Sequence, residues 1–259
     1  MSRDMWDPEI YARFTEERSR PFHDLLARVG AEDPSYVVDA GCGTGELTAE
    51  LARRWPSAQV HGFDASPAMI GKARPGDRLT FAVEDILDWR PRRPVDLLVS
   101  NAVLQWVPEH RVVLPCWVEA LAPGGWLAFQ VPGNFHAPSH EAVREVIRLK
   151  WFEWLGDLLR EDPVGEPADY LDLLAQLGCA VDAWETTYLH VLPGENAVLG
   201  WITGTALRPM LDRLPPSEHA EFLADCGRLL DEVYPRMPYG TPFPFRRIFV
   251  VARKPAAGG

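Results

Sequence analysis

Apolar residues recur along the first half of the chain in two alternating textures. Short, nearly unbroken runs, "YVVDA" from Tyr36, "QVHGFD" from Gln59, "LTFAVED" from Leu79, "VDLLVSN" from Val95 and "GGWLAFQVP" from Gly124, predict buried strands. Between them lie stretches with helical spacing: "ELTAELARRW", a short "SPAMIGKAR" with Ser66 as cap and Pro67 at the first position, and "RVVLPCWVEAL". Residues 8–29 also read as a helix, with Pro8 in its first turn. A Pro-Gly-Gly turn at Pro123–Gly125 opens the fifth strand. Repeated β-α alternation predicts a three-layer α/β/α fold around a doubly wound, mostly parallel sheet. Its ligand site lies beyond the carboxyl ends of the strands.

After Val131 the rhythm changes. A Pro/Gly/His-rich connection leads to the Trp-rich amphipathic segment "EAVREVIRLKWFEWLGDLLR". The core resumes with a helix, "ADYLDLLAQLG", and a strand, "VDAWETTYLHVL"; mostly helical sequence follows, and "FRRIFVVARK" is a last strand. The predicted organisation is a single domain over 1–259 with an N-terminal helical lid (1–30) and helical cap insertions at 132–165 and 194–243.

Composition narrows the function classes. The 259 residues are 47% hydrophobic and 24% charged, as in an ordinary globular protein. No apolar run approaches the roughly 20 residues of a membrane span, and "MSRDMWDPEIYARF" lacks the apolar core of a secretory signal. A cytoplasmic protein without a membrane anchor is expected. Cys42, Cys116, Cys179 and Cys226 lie far apart with no CxxC pair, which predicts reduced thiols and no zinc site. A formal net charge of -11 repels a polyanion, so nucleic acid is not an expected partner. A small anionic substrate is still admissible, because nearby arginines set the local potential.

The densest chemistry lies in "VVDAGCGTGELTAELARRW". Asp39 ends a strand, and Gly41, Gly43 and Gly45 follow where the chain turns into a helix and the backbone can approach a ligand closely. A dinucleotide fingerprint needs a third small residue at position 46, where this chain has Glu46. A P-loop needs a lysine after its last glycine, and none follows Gly45. Phosphate cradling is therefore disfavoured. Asp64 ends the next strand, where a carboxylate can accept both hydroxyls of a ribose, and Asp85 follows the third strand, within reach of an adenine amino group. An acid at one strand end can simply cap a helix. Three at successive strand ends point to a ligand with an adenosine part and no phosphate, and S-adenosylmethionine fits.

"VVDAGCGTG", "GFDASPAMI", "VEDILDW" and "SNAVLQWVPEH" resemble the successive motifs of class I S-adenosylmethionine-dependent methyltransferases. The amino-terminal "MWDPEIYARFTEERSRPFHDLLARV", "WETTYLHVLPGE", "WITGTALRPML" and "FPFRRIFVVARK" extend the likeness over nearly the whole chain, to the branch of that family acting on trans-aconitate. The resemblance implies a seven-stranded sheet with its last strand antiparallel. It also implies transfer of a methyl group to a carboxylate of that small polycarboxylic acid, giving a monomethyl ester and S-adenosylhomocysteine. Carried over by position, the cofactor set is Asp39, Gly41, Cys42, Gly43, Asp64, Ala65, Met69, Asp85, Ile86, Asn101 and Ala102, with Cys42 a small residue and not a nucleophile.

The segment after the fourth strand reads "SNAVLQW", without the Pro-Pro-aromatic sequence that base amino-methylating enzymes carry there; Cys116 follows a proline but falls within a predicted helix. A carboxylate acceptor, with a pKa near 4, is ionised at neutral pH, so no catalytic acid or base is required. Cations and donors are required for the carboxylates left unmethylated. The candidates are Arg20, Gln105, Trp106, Tyr188, His190, Arg208 and either Arg246 or Arg247, one of which points inward if strand alternation holds; Arg246 is preferred. Arginines at helix and strand ends are commonly plain surface charges, and tryptophans commonly plain packing. His136 and His140 have a helical i, i+4 spacing beside Glu141 but lack the rest of a metalloprotease signature, so no metal is expected. A malonyl thioester or another small dicarboxylate remains an alternative acceptor. A non-catalytic S-adenosylmethionine-binding module remains an alternative role, and a nicotinamide dehydrogenase is disfavoured by Glu46.

Overall fold

The computed structural model of the protein describes residues 15–159 and 163–256. Seven strands, β1 (Tyr36–Ala40), β2 (Gln59–Asp64), β3 (Leu79–Val83), β4 (Val95–Asn101), β5 (Leu121–Pro132), β6 (Ala180–Leu192) and β7 (Thr241–Arg253), form one sheet in the order β3-β2-β1-β4-β5-β7-β6. Strands β1 to β5 pair in parallel, and β7 runs antiparallel to β5 with Trp126 opposite Arg253 and Pro132 opposite Arg247. The mostly parallel sheet is as the strand pattern predicts, and its antiparallel last strand is as the resemblance implies. The helices are α1 (Thr15–Leu26), α2 (Glu46–Arg54), α3 (Pro67–Ile70), α4 (His110–Ala120), α5 (Pro138–Val146), α6 (Phe152–Leu155), α7 (Pro167–Gln176), α8 (Ala197–Thr203), α9 (Arg208–Arg213) and α10 (His219–Val233). The part of the predicted first helix before Thr15, Pro8 included, lies outside the described residues, as does Arg160 at the end of the Trp-rich segment.

Local chemistry accounts for the boundaries. Val37, Val38, Asp39 and Ala40 of β1 are all buried, as a central parallel strand covered on both faces requires. Helix α3 starts where Ser66 Oγ accepts from the Met69 amide at 3.3 Å, with Pro67 in the first turn. The Pro-Gly-Gly sequence differs from expectation: it is a bulge inside β5, not a turn before it. The β4–β5 register jumps from Val95 opposite Leu121 to Leu97 opposite Trp126, and Gly124 takes φ 79°. A Cβ at Gly125 would lie 2.8 Å from the Ala122 carbonyl oxygen and 2.9 Å from that of Val95, so the bulge demands glycine there.

The Trp-rich amphipathic segment is helical, as expected of the cap insertion, but in short pieces. Between α5 and α6, residues Ile147–Trp151 form a π-helical turn. Its wider turn lets the consecutive Lys150 and Trp151 reach one carboxylate, Nζ and Nε1 lying 2.8 Å and 3.0 Å from Asp225 Oδ2.

The chain divides into two compact units. The sheet unit, residues 18–132, 164–186 and 247–259, has a core built on Val38, Phe63, Leu98, Trp117, Phe129 and Ile248. The helical unit, whose described residues are 15–17, 133–159, 163 and 187–246, has a core built on Trp151, Trp201, Phe222, Cys226 and Phe243. Full burial of each such side chain contributes roughly 1.5–3 kcal/mol. All four cysteines are free thiols. Among the described residues no helix is long and apolar enough to cross a membrane.

Candidate active site

The strand order changes direction between β1 and β4, and the crevice beyond their carboxyl ends is the ligand position of an open α/β sheet. Asp39, next to last in β1, is only 2% exposed, and its Oδ2 accepts a 2.6 Å hydrogen bond from Thr48 Oγ1 on α2. Burial pushes its pKa up to about 7; the Thr48 bond opposes that rise and the charge of Asp64 adds to it.

The loop after β1 is lashed to β2, the amides of Gly41 and Cys42 donating to the Phe63 carbonyl at 2.8 and 2.9 Å. Its three glycines all have positive φ, 77°, 56° and 79° for Gly41, Gly43 and Gly45, but their surroundings differ. A Cβ at Gly41 would lie 2.4 Å from Val103 Cγ2, and one at Gly45 2.6 Å from the Phe81 ring, whereas one at Gly43 meets nothing within 4 Å. Gly41 and Gly45 therefore serve packing, and Gly43 borders open space. Gly43→Ala is expected to cost the left-handed penalty of about 1–2 kcal/mol and to weaken S-adenosylhomocysteine binding, while Gly41→Ala lowers the unfolding midpoint further. Thermal melts paired with calorimetry check this; equal stability losses in the two variants would contradict the distinction.

Asp64 ends β2, its Oδ2 accepting from the Gly43 amide at 3.0 Å and its Oδ1 from the Ser66 amide at 2.9 Å. An ionised carboxylate oxygen can accept more than one hydrogen bond. Asp85 follows β3, its Oδ1 taking the Leu87 amide at 2.9 Å in an Asx turn that carries the buried Ile86. Met69 is buried and Ala65 exposed beside Asp64. Burial, with Asp39 and Asp64 adding, pushes the Cys42 thiol far above its usual range, so it stays protonated. Asn101 ends β4, its Oδ1 accepting from Gln130 Nε2 at 2.6 Å, and Ala102 follows at φ 58°, a costly conformation for a residue with a Cβ.

Three carboxylates at these strand ends, with Glu46 exposed in the first turn of α2, repel a phosphate. They suit a ribose, an amino group and a positive charge, and the open space at Gly43 admits close approach. These residues fit an adenosine-bearing sulfonium.

The acceptor candidates divide between the units. In the sheet unit, Arg20 is exposed on α1 with Asp24 at 3.9 Å. Gln105 is buried and donates through Nε2 to the Ala102 carbonyl at 2.7 Å, and Trp106 is half-buried on the 3-10 turn Leu104–Trp106. In the helical unit, Tyr188 and His190 stack on one face of β6 with centroids 6.3 Å apart, and His190 lies 4.8 Å from the Trp201 ring. Arg208 is the half-buried first residue of α9. The Arg246 backbone is clamped by the Asn134 side chain, its amide donating to Oδ1 at 2.8 Å and its carbonyl accepting from Nδ2 at 2.9 Å. Arg246 lines a hollow of about 270 Å³ with His136, Thr187 and Tyr234.

Alternation along β7 buries Arg247, whose Nη1 donates to Gln130 Oε1 at 3.2 Å in the sheet unit. Gln130 and Asn134 escape the sequence reading, although a polar side chain inside the apolar run "LAFQVP" was a visible signal. His140 packs on Phe135 at 5.4 Å, and burial lowers its pKa to about 4. Among the described residues no group of three or more His, Cys, Asp or Glu side chains is placed to hold a metal ion.

Comparison with known proteins agrees with this architecture. Residues 12–180 match the family model described as a methyltransferase domain. The chain is 51% identical to a trans-aconitate 2-methyltransferase of Streptomyces avermitilis, over 97% of each chain. It is 53% identical to one of Rhodococcus jostii, over 96% of this chain and 99% of that one. The fold is shared at 17% identity and a TM-score of 0.57 with Haemonchus contortus phosphoethanolamine N-methyltransferase 2 in complex with S-adenosyl-L-methionine, over 91% of this chain and 52% of that one. The family match spans well over half the sequence, and both relatives align almost end to end. The chain belongs to the methyltransferase-domain family.

Proposed function

We propose that the protein transfers the methyl group of S-adenosylmethionine to a carboxylate of trans-aconitate, as a carboxyl O-methyltransferase. The observation that carries the donor is the set of carboxylates at the ends of β1 to β3, together with the open space at Gly43, whose amide Asp64 holds. The acceptor is carried by likeness above 50% identity, over almost the full length, to proteins named for trans-aconitate methylation.

When bound, S-adenosylmethionine supplies an electrophilic methyl group on a sulfonium. Asp64 holds the ribose hydroxyls, Asp85 the adenine amino group, and the Gly41–Gly43 backbone the amino-acid portion. A carboxylate acceptor is already ionised at neutral pH, so the chain has no proton to remove. Its work is to align the two reactants and exclude water, and alignment alone is worth roughly 7–11 kcal/mol of barrier. The remaining carboxylates need hydrogen-bond donors, for which Gln105 and Trp106 on the turn after β4, in the same unit as the donor carboxylates, are proposed.

The test is a labelled-methyl assay over small polycarboxylic acids. Trans-aconitate should be converted to a product that releases methanol on alkaline hydrolysis, and Trp106→Phe should raise its KM about tenfold, the worth of a hydrogen bond to a charged group. Binding of the donor with no turnover on any polycarboxylate would overturn the reading.

A further inference from the structure

Four residues of the sheet unit form a continuous polar chain across the carboxyl ends of β4 and β5. Arg247 Nη1 donates to Gln130 Oε1 at 3.2 Å, Gln130 Nε2 donates to Asn101 Oδ1 at 2.6 Å, and the Gln130 carbonyl accepts the Ala102 amide at 2.9 Å. Gln130 is 1% exposed and Arg247 6%, so water does not compete freely for these bonds. Donor and acceptor roles along the chain are forced. A guanidinium has donors and no acceptor, so the side of the Gln130 amide facing it is the oxygen. The Gln130 nitrogen must then find an acceptor, and the side of Asn101 facing it is also the oxygen. Asn101 is left with its amide nitrogen, which donates to no other atom among the described residues.

We propose that Arg247 is a positioning residue which, through Gln130, sets the Asn101 amide with its nitrogen toward the ligand, so that this edge offers a hydrogen-bond donor and favours an acceptor substrate that is itself a carboxylate over an amine. The proposal rests on the carboxylate reading given above. An unanchored Asn101 can turn either way and serve an amine through its oxygen. Anchored by Arg247, it pays to desolvate a carboxylate oxygen and leaves an amine facing a second donor. The adjacent Ala102, held at φ 58° with its amide on the Gln130 carbonyl, keeps the end of β4 in register with the same strand.

Gln130→Glu is the direct test. Glutamate at 130 still accepts from Arg247 but has no donor, so it takes the Asn101 nitrogen and turns the Asn101 oxygen outward. KM for trans-aconitate should rise about tenfold, the size of one hydrogen bond to a charged group, with kcat changed much less. Arg247→Met should move KM in the same direction, with Arg247→Lys restoring part of it. In an Asn101→Asp background Arg247→Met should add no further loss, because the residue it orients is already acceptor-only. An unchanged KM in Gln130→Glu, or an Arg247→Met loss that adds in the Asn101→Asp background, would overturn the proposal; if Gln130→Glu does not fold, the Arg247→Met and Arg247→Lys pair decides it. The Asn101 side-chain amide resonance, recorded without any acceptor, should shift in Gln130→Glu. A wild-type protein that esterifies no polycarboxylate would sink the function alone, and the wiring would then stand or fall on that resonance.

Discussion

Asp64→Ala is expected to raise the dissociation constant of S-adenosylhomocysteine about a hundredfold or more in calorimetry, the largest single effect on binding. Two losses combine. The first is the proposed pair of charge-assisted hydrogen bonds to ribose hydroxyls, each worth about 1.5–3 kcal/mol. The second is the anchoring of the loop itself, because the same carboxylate holds the amides of Gly43 and Ser66 at 3.0 and 2.9 Å. Asp64→Asn separates the two. One amide oxygen can still take a backbone amide, so part of the loop survives while a ribose hydroxyl meets a neutral partner. An Asp64→Ala protein that binds S-adenosylhomocysteine within threefold of wild type would remove Asp64 from the site.

Asp39→Asn is expected to flatten the pH dependence of stability between pH 4 and 7. The folded-state pKa of Asp39 is raised from 3.8 to about 7, chiefly by burial. Between these values the native protein binds more protons than the unfolded chain, so stability falls as pH rises and the cost is complete above about 7. The shift corresponds to about 4 kcal/mol, a large fraction of the roughly 5–15 kcal/mol of a typical domain. A cationic ligand bound beside this carboxylate would favour its ionised form. Binding of S-adenosylmethionine at pH 6 should therefore release a proton, and its affinity should grow toward pH 8. Asp39→Asn, which can still accept from Thr48, should be more stable than wild type at pH 8, bind the donor less tightly and release no proton. Urea unfolding at pH 5 and 8, with calorimetry in buffers of different ionisation enthalpy, reads both effects. Parallel stability profiles for the two proteins would contradict the assignment.

Much of the sheet was legible because parallel strands buried on both faces leave unbroken apolar runs: Tyr36–Ala40, Gln59–Asp64 and Val95–Asn101 begin and end where the runs do. The candidate donor-binding edge stands out for a related reason. Each strand end is marked by a polar residue that interrupts an apolar run, and Asp39, Asp64 and Asn101 all stand at such points. The bulge at Pro123–Gly125 was not legible, since a Pro-Gly-Gly sequence serves a turn and a bulge equally well and only the pairing with Val95 and Leu97 distinguishes them. Nor was the π-helical turn at Ile147–Trp151, from which Lys150 and Trp151 both reach Asp225, distant in sequence.

By itself the sequence determined the doubly wound sheet, the order of its elements and the three carboxylates beyond β1 to β3, because burial periodicity and strand-end chemistry are local properties. Tertiary structure alone decided which glycine of the loop faces open space, that Asp39 is buried enough to hold its proton near neutral pH, and that Arg247 is wired through Gln130 to Asn101. Those facts depend on which side chains from distant segments share one low-dielectric neighbourhood, and no local pattern encodes that.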